Sequence, residues 1–368
     1  MKLSPRAVWR LLSKPILACN CVLALTCAAA ARAEATSPSR TPTPNFSTRS
    51  AWKSEEAGNP DLSITPQGPS ATSVAPPLID SIAALTFARV AYKSLFADII
   101  PEAKQSAWRP LTLRSFFTDG WLEPFVEPSI ENGATPRSGW VNSFEGAFFR
   151  SWFFSFSFAK GANHNGDEYH GGYTIYTPLS RRLEFRIDVP FVASNKGGLG
   201  NSYQNRFGDL VISPRFLLSE TLDFCQVFAI NVRTPTGSRL NGNGLNSVSP
   251  HYQFWYSPRT NWSVRGGTGV TVMTNDGGGG ISYFANVGIG RYWKGDEDAM
   301  LRHHWLSLVM NFNTPQSGSR PNPAYLSLTP GYRVEVSRGW FLLAGLECPL
   351  TRDRMFAVQP IFLFVRQF

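Results

Sequence analysis

From about residue 143 onward, apolar and polar side chains alternate with a period of two. In the clearest stretch, Leu183, Phe185, Ile187, Val189 and Phe191 alternate with Glu184, Arg186, Asp188 and Pro190. A helix would scatter both sets around its circumference, whereas a strand sends one set to each face. The pattern recurs where Phe148, Trp152, Phe154, Phe156 and Phe158 oppose Ser151, Ser155 and Ser157. It recurs again where Leu306, Leu308, Met310 and Phe312 oppose Ser307, Asn311 and Asn313, and where Leu326, Leu328, Tyr332 and Val334 oppose Ser327, Thr329, Arg333 and Glu335. Read this way, the chain predicts twelve strands centred near residues 151, 172, 187, 212, 229, 252, 268, 287, 308, 330, 345 and 361.

The connections carry a second signal. Pro178–Arg181, Ser219–Leu222, Ser257–Thr260 and Ser337-Arg338 are short, whereas Gly161–Asp167, Ala193–Asn205, Gly237–Val248 and Thr314–Asn322 are longer and rich in Gly, Asn and Ser. Lys294–Met300 and Asn275–Gly280 break the trend. Short turns at one end, long loops at the other and an even strand number are the pattern of an outer-membrane barrel. The predicted fold class is therefore all-β, a closed antiparallel transmembrane β-barrel over residues 119–368. Its terminal strand ends in Phe362, Phe364 and Phe368, a pattern that resembles the signal read by barrel-assembly machinery; Arg366 departs from it.

Upstream the pattern changes. Ile79, Ile82, Leu85, Leu95, Ile99 and Ile100 recur at helical spacing before Pro101, predicting an amphipathic helix and connector over 78–118. That helix is expected to cover the barrel mouth; a plug or a partner-binding helix is the alternative. Residues 34–77 are rich in Ser, Thr, Pro and Ala and predict a disordered linker. Residues 1–33 combine Lys2, Arg6, Arg10 and Lys14, an uncharged apolar run from Ile16 to Ala31, and Ala31-Arg32-Ala33. This is the layout of a cleaved signal peptide and predicts export to the outer membrane of a Gram-negative-type cell. An uncleaved anchor helix and a lipoprotein site at Cys19 are weaker alternatives.

Composition agrees. Aromatic residues make up 13% and charged residues 17% of the chain, against roughly 25% charged in soluble domains. Removing residues 1–33 takes five of the 35 basic residues and no acid, so 30 bases face 26 acids and the net charge falls from +9 to +4. No basic cluster interleaved with aromatics marks a nucleic-acid surface. Beyond the signal only Cys225 and Cys348 remain, expected as free thiols on opposite sides of the barrel.

If the apolar face meets lipid, a polar set points inward: Glu145, Glu184, Arg186, Asp188, Asp209, Arg215, Arg233, Arg265, Arg333, Glu335 and Glu347. These are the candidate pore-lining residues. Their signs are mixed, so they either border a narrow polar channel or pair and close it. No cofactor is expected. His164, Asp167, Glu168 and His170 match no familiar metal spacing and read as loop residues. A lipid hydrolase would need a Ser and a His on the lipid-facing wall; no Gly-x-Ser-x-Gly elbow is present, and the expectation is of no enzyme.

Phe207-Gly208-Asp209-Leu210, running into Ser213-Pro214-Arg215-Phe216, and Arg233-Thr234-Pro235-Thr236-Gly237 resemble a bacterial family, the Putative MetA-pathway of phenol degradation proteins. The resemblance covers roughly 119–368. It implies an outer-membrane barrel and, as an inference made for that family, transport. The expected function is a passive channel or transporter for small solutes, aromatic ones included. A non-conducting structural barrel is the alternative, and the partners are outer-membrane lipid, assembly machinery and a small solute.

Overall fold

A computed structural model describes residues 78–97, 108–128, 136–162, 167–195, 207–237, 246–257, 261–274, 280–296, 299–314, 324–352 and 354–368. The expected signal peptide and linker, and His164, lie outside these residues. The described chain forms one helix, α1 (Leu78–Phe96), and twelve strands. These are β1 (Ser151–Ala159), β2 (Glu168–Pro178), β3 (Leu183–Asn195), β4 (Val211–Glu220), β5 (Phe224–Arg233), β6 (Ser247–Tyr256), β7 (Trp262–Met273), β8 (Ile281–Trp293), β9 (Arg302–Asn313), β10 (Tyr325–Ser337), β11 (Trp340–Pro349) and β12 (Gln359–Gln367). Each strand pairs antiparallel with its sequence neighbours, and β1 pairs with β12 to close the barrel. Closure leaves no strand edge unpaired, which is what allows a sheet to sit in hydrocarbon.

Register fixes the two faces. Ser151, Phe153 and Ser155 turn inward opposite Tyr176, Thr174 and Gly172, while Phe154 and Phe156 are exposed. Val287, Ile289, Leu306, Leu308, Met310, Phe312, Leu342, Leu346 and Phe362 are exposed with them. No soluble monomer sustains an apolar belt of this extent, so the outer wall is lipid-facing. Near one end of the belt Trp340 stacks on Phe364, and Trp152 packs edge-to-face against both. Trp293 stacks on His304 near the same end. Arg366 belongs to this girdle: its guanidinium lies over Trp340 at 5.1 Å and donates to the Arg338 carbonyl at 2.6 Å. The charge that departed from the apolar pattern therefore reaches the polar rim, with its stem in the belt.

The described short connections, 179–182, 221–223 and 338–339, lie at that girdle; this is the turn end. The opposite strand ends, such as Asn195, Arg233, Met273 and Asn313, mark the loop end. α1 reaches the turn end by its last turn. Ser94 Oγ donates to the Leu179 carbonyl at 3.1 Å and accepts from the Phe125 amide at 2.9 Å. Arg150 donates to the carbonyls of Ser94, Leu95 and Ala97.

The first strand corrects one expectation. The alternation around Phe148 predicted a strand centred near 151, but β1 begins only at Ser151. Residues 136–149 instead form a loop inside the barrel. Arg137 pairs with Glu220 at the turn end, the chain climbs to Asn142, and it returns to Arg150, whose carbonyl accepts from the Phe368 amide.

Candidate functional site

The loop is seated on glycines. Trp140 packs on the inner wall where a Cβ at Gly288 or Gly290 would come within 2.8 Å or 2.7 Å of its ring. Val141 sits against Gly331 and Gly345, and Phe144 against Gly267. Gly146 presses its own backbone onto β6, where a Cβ would lie 2.1 Å from the Phe254 carbonyl carbon. Asn142 turns the tip with φ 56°, a conformation that Asn tolerates better than most residues. Its side-chain amide donates to Thr329 Oγ1 at 3.0 Å, and its carbonyl accepts from Asn286 at 3.1 Å.

Buried charges fasten the loop's descending arm and tie it to the start of the ascending one. Arg265 donates to the Glu145 carboxylate at 2.5 Å and to the Arg137 carbonyl at 2.7 Å. Arg215 pairs with Glu184 and donates to the Glu145 and Ala147 carbonyls. Glu184 accepts the Phe149 amide at 2.9 Å. Arg215, Glu184, Arg265 and Glu145 are all less than 5% exposed. Full burial makes these contacts costly to break one partner at a time.

The predicted inward residues thus occupy three levels. Glu184, Arg215 and Arg265 hold the loop, and Glu145 reaches the lumen on the loop rather than on a strand. Near the turn end, Glu335 lies 3.3 Å from His303, and the Arg333 guanidinium covers the Phe341 ring at 4.0 Å. On the loop-end side, Arg186 pairs with Asp188 at 2.9 Å, and Glu347 accepts from Tyr325 and Ser327 at 2.7 Å and 2.6 Å. Asp209 and Arg233 sit at the loop-end rim, Asp209 buried and Arg233 exposed.

Above the loop tip lies a partly open cavity of about 400 Å³. Trp140, Asn142, Ser143, Phe144 and Glu145 form its floor. Its walls mix aromatic and apolar groups (Phe153, Tyr176, Phe284 and Leu363) with Ser155, Thr174, Arg186, Asn286, Asn311 and Asn313. Most of these residues were not singled out in the sequence. The inward glycines two residues apart in β7 and β8 were the available signal, because small residues facing a lumen leave room for something else to fill it.

The described histidines each meet near neighbours. His251 contacts the Ser249 carbonyl and Gln253, His303 contacts Tyr292 and Glu335, and His304 contacts Tyr332. His170 pairs with Glu168 at 3.2 Å. No group of three potential metal ligands occurs among the described residues.

The two sequence stretches that carried the family resemblance interlock at the loop-end rim. Thr236 Oγ1 accepts from the Leu210 amide at 2.9 Å, and the Gly237 amide donates to Asp209 at 3.1 Å. A Cβ on Gly237 would come within 2.6 Å of Gly208. The family profile described as Putative MetA-pathway of phenol degradation matches residues 128–334. The chain belongs to this family. That match includes the luminal loop as well as most of the wall. No curated protein matches. Among solved structures, an outer membrane channel from Pseudomonas putida F1 is 13% identical, with a TM-score of 0.46, over 66% of this chain and all of the other. The beta domain of the Bordetella autotransporter Brka is 9% identical, with a TM-score of 0.38, over 60% of this chain and all of the other. A bacterial polysaccharide outer membrane secretin is 8% identical, with a TM-score of 0.33, over 60% of this chain and 98% of the other.

Proposed function

We propose that this member of the phenol-degradation family is an outer-membrane channel, delivered by an N-terminal export signal. It passes small amphipathic solutes, aromatic ones included, by a non-enzymatic route. The turn end faces the periplasm and the loop end faces outward. The observation that carries this reading is the cavity of about 400 Å³ ending on the luminal loop. Its size suits one small molecule. Its rings offer stacking surfaces, and its amides and hydroxyls offer hydrogen bonds to a polar edge. A solute entering from outside would rest there on Trp140, Asn142 and Phe144, and would proceed only when the loop shifts.

Two features favour a gated path over a permanently filled scaffold. The loop is tethered from one side of the membrane, so it can withdraw without disturbing the wall. Its tip is held by neutral amide and hydroxyl contacts, weaker than the ion pairs of its descending arm. Reconstitution in planar bilayers and swelling liposomes tests the proposal. The intact chain should admit small aromatic alcohols faster than sugars of similar mass. A variant with residues 139–146 replaced by a short Gly/Ser linker should conduct ions steadily. If both proteins are electrically silent and neither supports swelling, the barrel is a structural one.

A further inference from the structure

We infer that residues 111–122 form a foot that inserts into the leaflet of the membrane on the turn side, anchoring the barrel beside β3 and β4. Phe117 is 87% exposed, Leu113 61% and Leu122 56%. These apolar side chains are placed together on a segment of only twelve residues, and Arg114 is exposed between them. Their position says what covers them. Trp121 packs against Phe216 with ring centroids 6.4 Å apart. Phe216 is on the outer face of β4, since its neighbours Arg215 and Leu217 are buried inside and it pairs with Leu183 of the outward set. At Trp121 the foot therefore meets the lipid-facing belt, while Leu111 roots it inside, packed with Leu217, Val227 and Phe148.

The foot is also built to hold this position. The Arg182 guanidinium is fully buried. It donates to the carbonyls of Asp119 at 2.8 Å, Thr112 at 3.1 Å and Ser115 at 3.0 Å on the foot, and of Leu217 and Leu218 at 2.8 Å and 2.9 Å on β4. Its face lies 5.4 Å from the Phe116 ring. Leu111 bridges to Glu220 by two backbone hydrogen bonds of 2.9 Å and 2.7 Å. Gly120 turns the chain at φ 86°, and a Cβ there would meet Arg182 at 3.0 Å. A water-exposed turn gains nothing from presenting Phe117 and Leu113, whereas aromatic and aliphatic groups at a headgroup boundary, beside a cation, are what an interfacial anchor needs. Arg114 suits anionic headgroups.

The test is nitroxide accessibility in the full chain, carrying Cys348→Ser and reconstituted in vesicles containing phosphatidylglycerol. Spin labels are placed at Phe117→Cys, at Leu308→Cys in the lipid belt, and at Asp296→Cys in an exposed turn at the same end. The label at 117 should resemble that at 308, with oxygen collisions several-fold above those of a water-soluble nickel chelate, and differ from that at 296. Leu113→Cys is the second site if Phe117→Cys fails to give the heat-modifiable folded band. Chelate accessibility at 117 and 113 equal to that at 296 overturns the inference. So does dipolar broadening that persists at high lipid dilution, which would mean that a second copy covers the foot.

Discussion

The two halves of the lumen are walled by the same twelve strands and filled in different ways. Toward the turn end, the wall offers glycines and buried arginines, and residues 136–149 occupy the space. Toward the loop end, the wall offers amides, hydroxyls and aromatic rings, and the space is a cavity. The contrast shows that a charge inside a barrel does not by itself mark a passage. Arg215 and Arg265 serve the fold of the loop, whereas Arg186, one strand from Arg215, borders open space with its charge offset by Asp188.

The largest expected effect comes from breaking the filled half. Arg215→Leu leaves Glu184 buried without its partner and frees two loop carbonyls. It should cost about 3–5 kcal/mol, read as a lower urea midpoint of the heat-modifiable band in vesicles. Arg186→Ala should cost less than about 1 kcal/mol, because that pair is partly exposed. Equal losses would erase the distinction between the halves. In a conducting barrel, Arg186→Ala should instead change ion selectivity.

A steric substitution sharpens the same comparison. At Gly290 a Cβ would lie 2.2 Å from Trp305 Nε1 and 2.7 Å from Trp140. Gly290→Val should destabilise the seated loop by about 1–3 kcal/mol and raise the open probability in bilayers. Asn311→Leu, on the cavity wall, removes the acceptor of one Asn286 hydrogen bond, should cost about 1 kcal/mol, and should shift solute preference in liposome swelling. A Gly290→Val protein with unchanged conductance would show that the loop is not the barrier.

A smaller effect concerns Glu127, which lies off the strands and meets Gln367 at the turn end of β12. Burial raises the Glu127 carboxyl to about 6, although Gln367 donates to it at 3.1 Å and 3.3 Å. A raised carboxyl means that the folded protein holds the proton more tightly than the unfolded chain. The stability this gives is complete below the ordinary carboxylate range and is lost as pH rises to about 6, staying flat above. Proteolysis of the segment around Glu127 should therefore quicken between pH 4.5 and 6, with the change abolished in Glu127→Gln. The smallest signal is that of the thiols. Cys225 is fully buried and Cys348 faces outward, and both are free. Reduction should leave the monomer's gel migration unchanged, and a maleimide should label Cys348 before Cys225.

Much of the wall was legible because the alternation of Leu183–Phe191 or Leu306–Phe312 has only one physical reading. The twelve strands and a helix starting at Leu78 follow from such local periodicity; the expected continuation of that helix through Ile99 and Ile100 lies outside the described residues. The luminal loop was not legible. Trp140, Val141, Phe144, Phe148 and Phe149 have the side chains of strand residues, and nothing local distinguishes burial against a wall from membership of one. Glu145 was placed inside, but its partner Arg265 is 120 residues away and known only through closure. Arg182 was hidden for a related reason. An arginine at the edge of a short turn reads as solvated until the chain that covers it is in place.

The loop leaves and returns on the same side of the membrane, with Arg137 and Arg150 both at the turn end. Topologically it is a finger in a ring rather than a thread through one. The last strand must pair with the first before the ring exists, and Phe368 does so beside Arg150. The finger need not be present at that moment. It can enter a finished ring from below, or leave it, without any strand parting, so the order of assembly and the order of opening are independent.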